Sequence, residues 1–180
     1  IQRQPKMERG DGPIVLILAP TRELAQQVNE VASDFCPRIN CHHCCLFGGS
    51  GRGPQIMELR RTPALVVATP GRLIDFMNQE IVTMERVNFL VLDEADRMLD
   101  MGFEPQIREI IGKIRTDRQT IMFSATWPKE IRKLAADFLV DPVHMVIGSN
   151  ELTTNSAIKQ VVEKVEEYEK LSKVLEFLQD

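Results

Sequence analysis

Six short apolar runs constrain this chain more than any other feature. They cover residues 14–19, 41–47, 64–68, 89–92, 120–123 and 143–147, and each stops abruptly at polar or turn-forming residues. Runs of that length with polar punctuation suit strands buried on both faces of a parallel sheet. Segments of helical spacing lie between them. Leu24, Val28, Val31 and Phe35 share one face of the first, with Thr21 placed to cap it. A short helix is expected over 54–60, and another bears Leu73, Ile74, Phe76 and Met77. Met101-Gly102-Phe103 breaks the helix that follows the fourth run, and Pro105 opens a longer one with Ile107, Ile110, Ile111 and Ile114 inward. Pro128 suits the first turn of the last, which carries Ile131, Leu134, Ala135 and Phe138. Strand, tight turn and helix in alternation describe an open, mostly parallel α/β sheet with helices on both faces.

The polar motifs all follow strands. Pro20-Thr21-Arg22, Gly48-Gly49, Thr69-Pro70-Gly71-Arg72, Asp93-Glu94-Ala95-Asp96 and Ser124-Ala125-Thr126 therefore fall on one rim, where doubly wound folds bind their ligands. Two adjacent carboxylates at a strand end, Asp93 and Glu94, can hold a hydrated Mg²⁺ and orient a water, as phosphoryl transfer requires. The alternative is that Asp93 caps the next helix while Glu94 and Asp96 favour its positive end. Ser124 and Thr126 have a similar alternative as caps of the helix at Pro128. Gathering glycines, hydroxyls and carboxylates on one rim favours a functional site.

Composition narrows the class. A chain of 180 residues that is 43% hydrophobic can bury a full core. No apolar run approaches the roughly 18 residues of a membrane span, and no secretory signal is visible. Because the chain begins at Ile1, it is expected to be part of something longer. Its four cysteines crowd into residues 36–45, unlike the framework of a secreted domain, so an intracellular setting, nucleus or cytoplasm, is expected. Cys41-His42-His43-Cys44 is spaced like half a zinc site, but no second half exists and the segment also reads as a strand. The net charge of −4 is uneven, with seven acids against four lysines in residues 151–180. The remainder is near neutral and can still present a local basic surface.

In order and spacing, the five rim motifs resemble those of the first RecA-like domain of DEAD-box ATP-dependent RNA helicases, and the likeness spans nearly the whole chain. Asp96 in place of His favours that family over its DEAH relatives. The resemblance implies ATP and Mg²⁺ as cofactors, with Asp93 holding the metal through water and Glu94 positioning the attacking water. It implies that Asp96, Ser124 and Thr126 couple hydrolysis to RNA binding and domain closure. It assigns the RNA surface to Pro20, Thr21, Arg22, Gly49, Thr69, Gly71 and Arg72, with a strand-bending wedge helix over 72–78. The chemistry suits sequence-independent binding, because glycines and helix starts admit a sugar-phosphate chain and hydroxyls bond its oxygens. Arg22 and Arg72 retain the alternative of pairing with a neighbouring acid.

No G-x-x-x-x-G-K-[ST] phosphate loop occurs in these residues. In the family that loop, its strand and an adenine-reading glutamine motif come earlier, and a second RecA-like domain with an arginine finger comes later. The expected organisation is a first RecA-like domain over 1–150, incomplete at its N-terminal side, with a linker and the opening of the second domain over 151–180. Residues 1–12 are expected as a mobile loop and 152–155 as a linker. For the tail, a strand over 158–165 and a helix over 167–179 are preferred to one long acidic helix. Alone, the chain is expected to be inactive. A non-catalytic RNA- or protein-binding module remains the second functional class.

Overall fold

Five of the six apolar runs become strands: β1 (Val15–Leu18), β2 (His43–Leu46), β3 (Leu65–Ala68), β4 (Phe89–Leu92) and β5 (Gln119–Met122). The computed structural model describes residues 1, 4, 7–8, 10–147, 158–159 and 161–178. It comprises two compact units, Ile1–Pro142 and Val143–Asp180. In the first unit every strand pairing is parallel, in the order β2-β3-β1-β4-β5. Helices connect the strands: α1 (Arg22–Phe35), α2 (Arg52–Leu59), α3 (Pro70–Asn78), α4 (Ala95–Asp100), α5 (Glu104–Gly112) and α6 (Lys129–Phe138).

The two sheet faces are covered unequally. On one, Leu16, Leu18, Cys44, Leu46, Val66, Ala68, Leu90 and Leu92 form a buried layer with Leu73, Phe76, Met98, Ile107, Ile110, Ile131 and Leu134 from the helices. Each fully buried Leu, Ile or Phe contributes about 1.5–3 kcal/mol. On the other, α1 sets Ala25, Leu24 and Val28 against Ile17, Val67, Cys45 and Leu65. Val91 and Ile121 share that second face through their register with Ile17, yet stay half-buried. The expectation of strands buried on both faces thus holds for β3; β1, β2 and β4 alternate buried and half-buried residues, and β5 has no buried residue. The expected inner face of α1 is also corrected. Ala25 and Ala32 point inward, whereas Val31 and Phe35 are 56% and 61% exposed. The covered stripe runs through Ala25, Val28 and Ala32 to Cys36, one position round from Val31 and Phe35, and small alanines let the helix lie close.

The Cys-His-His-Cys segment is used for packing. Alternation along β2 sends Cys44 and Cys45 to opposite faces, so their thiols cannot converge on one ion. Cys44 lies in the core, where burial pushes its thiol well above the ordinary value. The Cys45 thiol donates to the Ala25 carbonyl at 3.4 Å, and His43 Nδ1 meets Asn29 Oδ1 at 2.9 Å.

Three further expectations need correction. Residues 143–147 form no strand: β5 pairs with β4 alone, and 143–147 find no ladder partner among the described residues. An extended segment without a neighbour leaves its backbone groups to water, so no strand forms. In the second unit a 3₁₀ turn (Glu167–Glu169), capped reciprocally by Glu166 and Glu169, leads into α7 (Lys170–Phe177). The expected tail helix therefore exists, shorter than expected. Neither the strand over 158–165 nor the long helix appears among the described residues, and 152–155 lie outside them. At the other end, residues 11 and 12 are tied down. Asp11 ion-pairs with Arg86, and Gly12 packs against the backbone of Thr83.

Gly12 allows a prediction. A Cβ there would lie 2.1 Å from the Thr83 carbonyl oxygen, which is backbone and cannot swing aside. Gly12→Ala should cost about 1–3 kcal/mol, the usual penalty of overpacking, read as a lower urea midpoint at unchanged slope.

Candidate functional site

The rim at the strand ends is built by backbone first. The N–H of Asp93 donates to the Leu18 carbonyl at 3.0 Å, fixing the end of β4 beside that of β1. Glu94 then takes a left-handed conformation, φ 50° and ψ 54°. This costs a residue with a Cβ about 1–2 kcal/mol. The reversal lets the Ala95 N–H reach the Phe123 carbonyl at 2.9 Å, so α4 starts at once over the end of β5. Asp93 does not cap α4. The cap residue is Glu94, without a side-chain cap bond, and the Asp93 carboxylate accepts only the N–H of Glu94, at 3.1 Å. Glu94 pairs with Arg97 at 3.2 Å on the surface.

Across the rim, Asp96 is bound to the loop after β5. Its Oδ2 accepts the Thr126 N–H at 2.9 Å and the Thr126 hydroxyl at 2.8 Å, while Oδ1 accepts the Arg97 N–H at 3.0 Å. The Ser124 hydroxyl donates to the Thr126 carbonyl at 2.8 Å. Neither hydroxyl caps α6, whose cap residue is Pro128 with no side-chain bond. The two neighbouring acids titrate in opposite directions. Burial lifts the Asp93 carboxyl above the usual range, and the Glu94 charge adds to that against the pull of the Glu94 N–H. Burial also lifts Asp96, but the Thr126 hydroxyl and N–H, the Arg97 N–H and the Ser124 hydroxyl together outweigh it and hold Asp96 low.

Six of the seven expected RNA contacts line one groove of about 560 Å³: Pro20, Thr21, Arg22, Thr69, Gly71 and Arg72. Gly49, the seventh, follows the groove residue Gly48 and has φ +74°, where a side chain would be strained. The Thr21 hydroxyl is engaged, accepting the Leu24 N–H at 3.2 Å as the cap of α1. The Arg22 guanidinium lies over the Phe47 ring at 5.0 Å, and that of Arg72 over Phe76 at 5.5 Å. Arg72 Nη2 donates to the Ser50 carbonyl at 3.1 Å, while its Nη1 is buried without a partner. Glu23 and Asp75 line the same groove, Asp75 pairing with Arg52 at 3.4 Å, but among the described residues neither groove arginine forms an ion pair. That removes the alternative in which an acid neutralises them.

Sequence reading missed three residues here. Buried Gln55 ties down the glycine loop, donating to the Phe47 carbonyl at 3.0 Å and to Ser50 Oγ at 2.8 Å, and accepting the Phe47 N–H at 3.2 Å. Met101 and Phe103 line the groove from the turn after α4. Their signal was a large apolar residue on each side of a turn glycine, which reads only as the end of a helix.

A parallel α/β sheet with one carboxylate, Asp96, linked to a hydroxyl loop across its rim, beside a groove lined by Arg22 and Arg72, fits a RecA-like domain. The sequence pattern of the DEAD/DEAH box helicases matches residues 1–134. The chain belongs to the DEAD-box RNA helicase family. It is 54% identical to the probable ATP-dependent RNA helicase DDX17 of Mus musculus, over the whole of this chain and 28% of that protein. It is 55% identical to the ATP-dependent RNA helicase dbp2 of Neurospora crassa, over 99% of this chain and 32% of that protein. The chain thus spans about a third or less of the length of these relatives. The crystal structure of the yeast DEAD-box splicing factor Prp28 superposes with a TM-score of 0.79 at 35% identity, covering 99% of this chain and 43% of that one. No helix among the described residues is long and apolar enough to cross a membrane.

The low-titrating Asp96 makes its link to Thr126 dependent on pH. A carboxyl held below its unfolded value, about 3.9, stabilises the fold above that value and loses the contribution as pH falls through the folded one. Asp96→Asn should therefore be less stable than wild type at neutral pH, and the difference should shrink as the pH falls below the unfolded value and through the lowered folded one. Urea titrations across that range check it, and a constant difference would refute the link.

Proposed function

We propose that the full-length protein is an ATP-dependent RNA helicase in which this chain supplies the first RecA-like domain over residues 1–150. The observation that carries the reading is the Asp96–Thr126 link, which joins the carboxylate end of β4 to the hydroxyl loop after β5. Residues 151–180 are proposed as the linker and opening of a second RecA-like domain of the same chain. An intracellular site of action, nucleus or cytoplasm, goes with this reading.

The chemistry follows from the side chains. No group of three or more His, Cys, Asp or Glu among the described residues can cage a metal. That fits Mg²⁺, which keeps most of its waters and takes its other ligands from phosphates, needing only a carboxylate such as Asp93 beside it. Bound there, the ion would neutralise the phosphate charge that builds up as the γ-phosphoryl group transfers. The raised titration of Asp93 supports this assignment, since a half-buried carboxylate beside Glu94 gains from a nearby cation. Glu94 is assigned the water: it follows Asp93 directly and is held in its strained conformation by the backbone bonds of β4 and α4. Asp96, Ser124 and Thr126 are assigned the coupling of this centre to RNA and to domain closure. In the groove, Arg22 and Arg72 would take phosphates, with Pro20, Thr21, Gly49, Thr69 and Gly71 shaping the backbone path. The helix from Arg72 to Asn78 is assigned the bending of one strand. Because these residues contain no phosphate loop, the chain alone is proposed to be inactive.

Three expected outcomes test this. In the full-length protein Glu94→Gln should keep ATP and RNA binding and slow phosphate release by roughly a hundredfold, the scale of a lost general base. In the same assay residues 1–180 should show no RNA-stimulated turnover. Arg22→Ala and Arg72→Ala should each weaken binding equally on two unrelated RNAs and lower the salt slope by about one unit. Affinity lost on one sequence alone would mean base reading instead.

A further inference from the structure

We propose that Met101 and Phe103 form an apolar ledge in the groove, on which the ribose joined to the Arg72-bound phosphate packs. This rests on the RNA reading above and adds two contacts and their chemistry to it.

The groove combines cations, Arg22 and Arg72, with two acids, Glu23 and Asp75, the latter already paired with Arg52 at 3.4 Å, and with two apolar side chains, Met101 and Phe103. Met101 is 48% exposed, much for a side chain with no polar group to offer water, whereas Phe103 is half-buried and packs on the core. The turn that presents them is fixed by its backbone. The N–H groups of Met101, Gly102 and Phe103 donate to the carbonyls of Arg97, Leu99 and Met98 at 3.0, 2.8 and 2.9 Å. Gly102 has φ +76°, which admits this turn without Cβ strain. The ledge is thus preformed, and little ordering opposes binding.

Charge selects the occupant. Arg72 Nη1 is buried with its donors unspent, next to Nη2 already bound to Ser50. A buried guanidinium nitrogen in that state gains most from an anionic oxygen. A phosphate placed there carries its own ribose one bond away, and the C–H edge of a sugar suits a thioether and a half-covered ring. A base would need an open aromatic face, which Phe103, half-buried in the core, does not present. The contact is therefore non-ionic and indifferent to base identity.

The test uses the full-length protein and fluorescence anisotropy with two labelled probes, oligouridine and a ribose-phosphate strand lacking bases, each over a salt series. Met101→Ala should weaken binding about three- to tenfold on both probes and leave the salt slope unchanged, since no phosphate contact is lost. Met101→Leu should restore binding, and Met101→Glu should bind more weakly than Met101→Ala. Met101 is exposed, so these variants keep the wild-type melting temperature. Binding by Met101→Ala within twofold of wild type on both probes would overturn the proposal, while a weakened Arg72→Ala beside it would leave the RNA reading standing. A loss confined to oligouridine would mean base stacking and would overturn the ribose assignment. A changed salt slope in Met101→Ala would mean a displaced arginine and also overturn it. Wild-type protein that binds neither probe would remove the RNA reading and this inference together.

Discussion

The site depends on all five strands pairing in parallel. Parallel pairing puts every strand's carboxyl end on the same edge of the sheet. The register holds Leu18, Leu46, Ala68, Leu92 and Met122 level, so the next residues of every strand emerge side by side. One antiparallel strand would send its motif to the opposite rim. Residues far apart in sequence, such as Asp96 and Thr126, come within 2.8 Å because β4 and β5 are neighbours with equal register. Arg22 and Arg72 meet in one groove because β1 and β3 are neighbours.

Sequence reading succeeded where local pattern and partner agree. The run 89–92 is a strand to the residue, because apolar neighbours await it on both sides. The inward positions of α6 are correct at Ile131, Leu134, Ala135 and Phe138, because a strong helical period meets a covered face. It failed where the pattern was sound and the partner was not there to be read. Residues 143–147 have the apolar run of a strand and no ladder to join among the described residues. Val31 and Phe35 have the period of a core face, but the neighbouring stripe of Ala25, Val28 and Ala32 is the one that meets the sheet. Hydrophobicity marks what can be buried; only topology decides what is.

The site was legible in another way. Residue types set the expected chemistry, and their places after strands put them on one rim. Whether Asp93, Ser124 and Thr126 were caps or working groups was undecidable from spacing, because a cap and a ligand can occupy the same position. Hydrogen-bond partners remove the capping alternative: none of the three caps the helix beside it. Gln55, Met101 and Phe103 carry no motif of their own. Their importance comes from what folding brings next to them, which one-dimensional spacing does not encode.

The shortness of α4 has a mechanical consequence. Six residues of helix span about 9 Å, too few to kink or absorb a bend. Asp93 and Glu94 precede its first residue, and Met101 follows its last. The helix therefore sets a near-constant spacing between the carboxylates of Asp93 and Glu94 and the groove residue Met101, and one continuous segment rather than a relay of side chains links them.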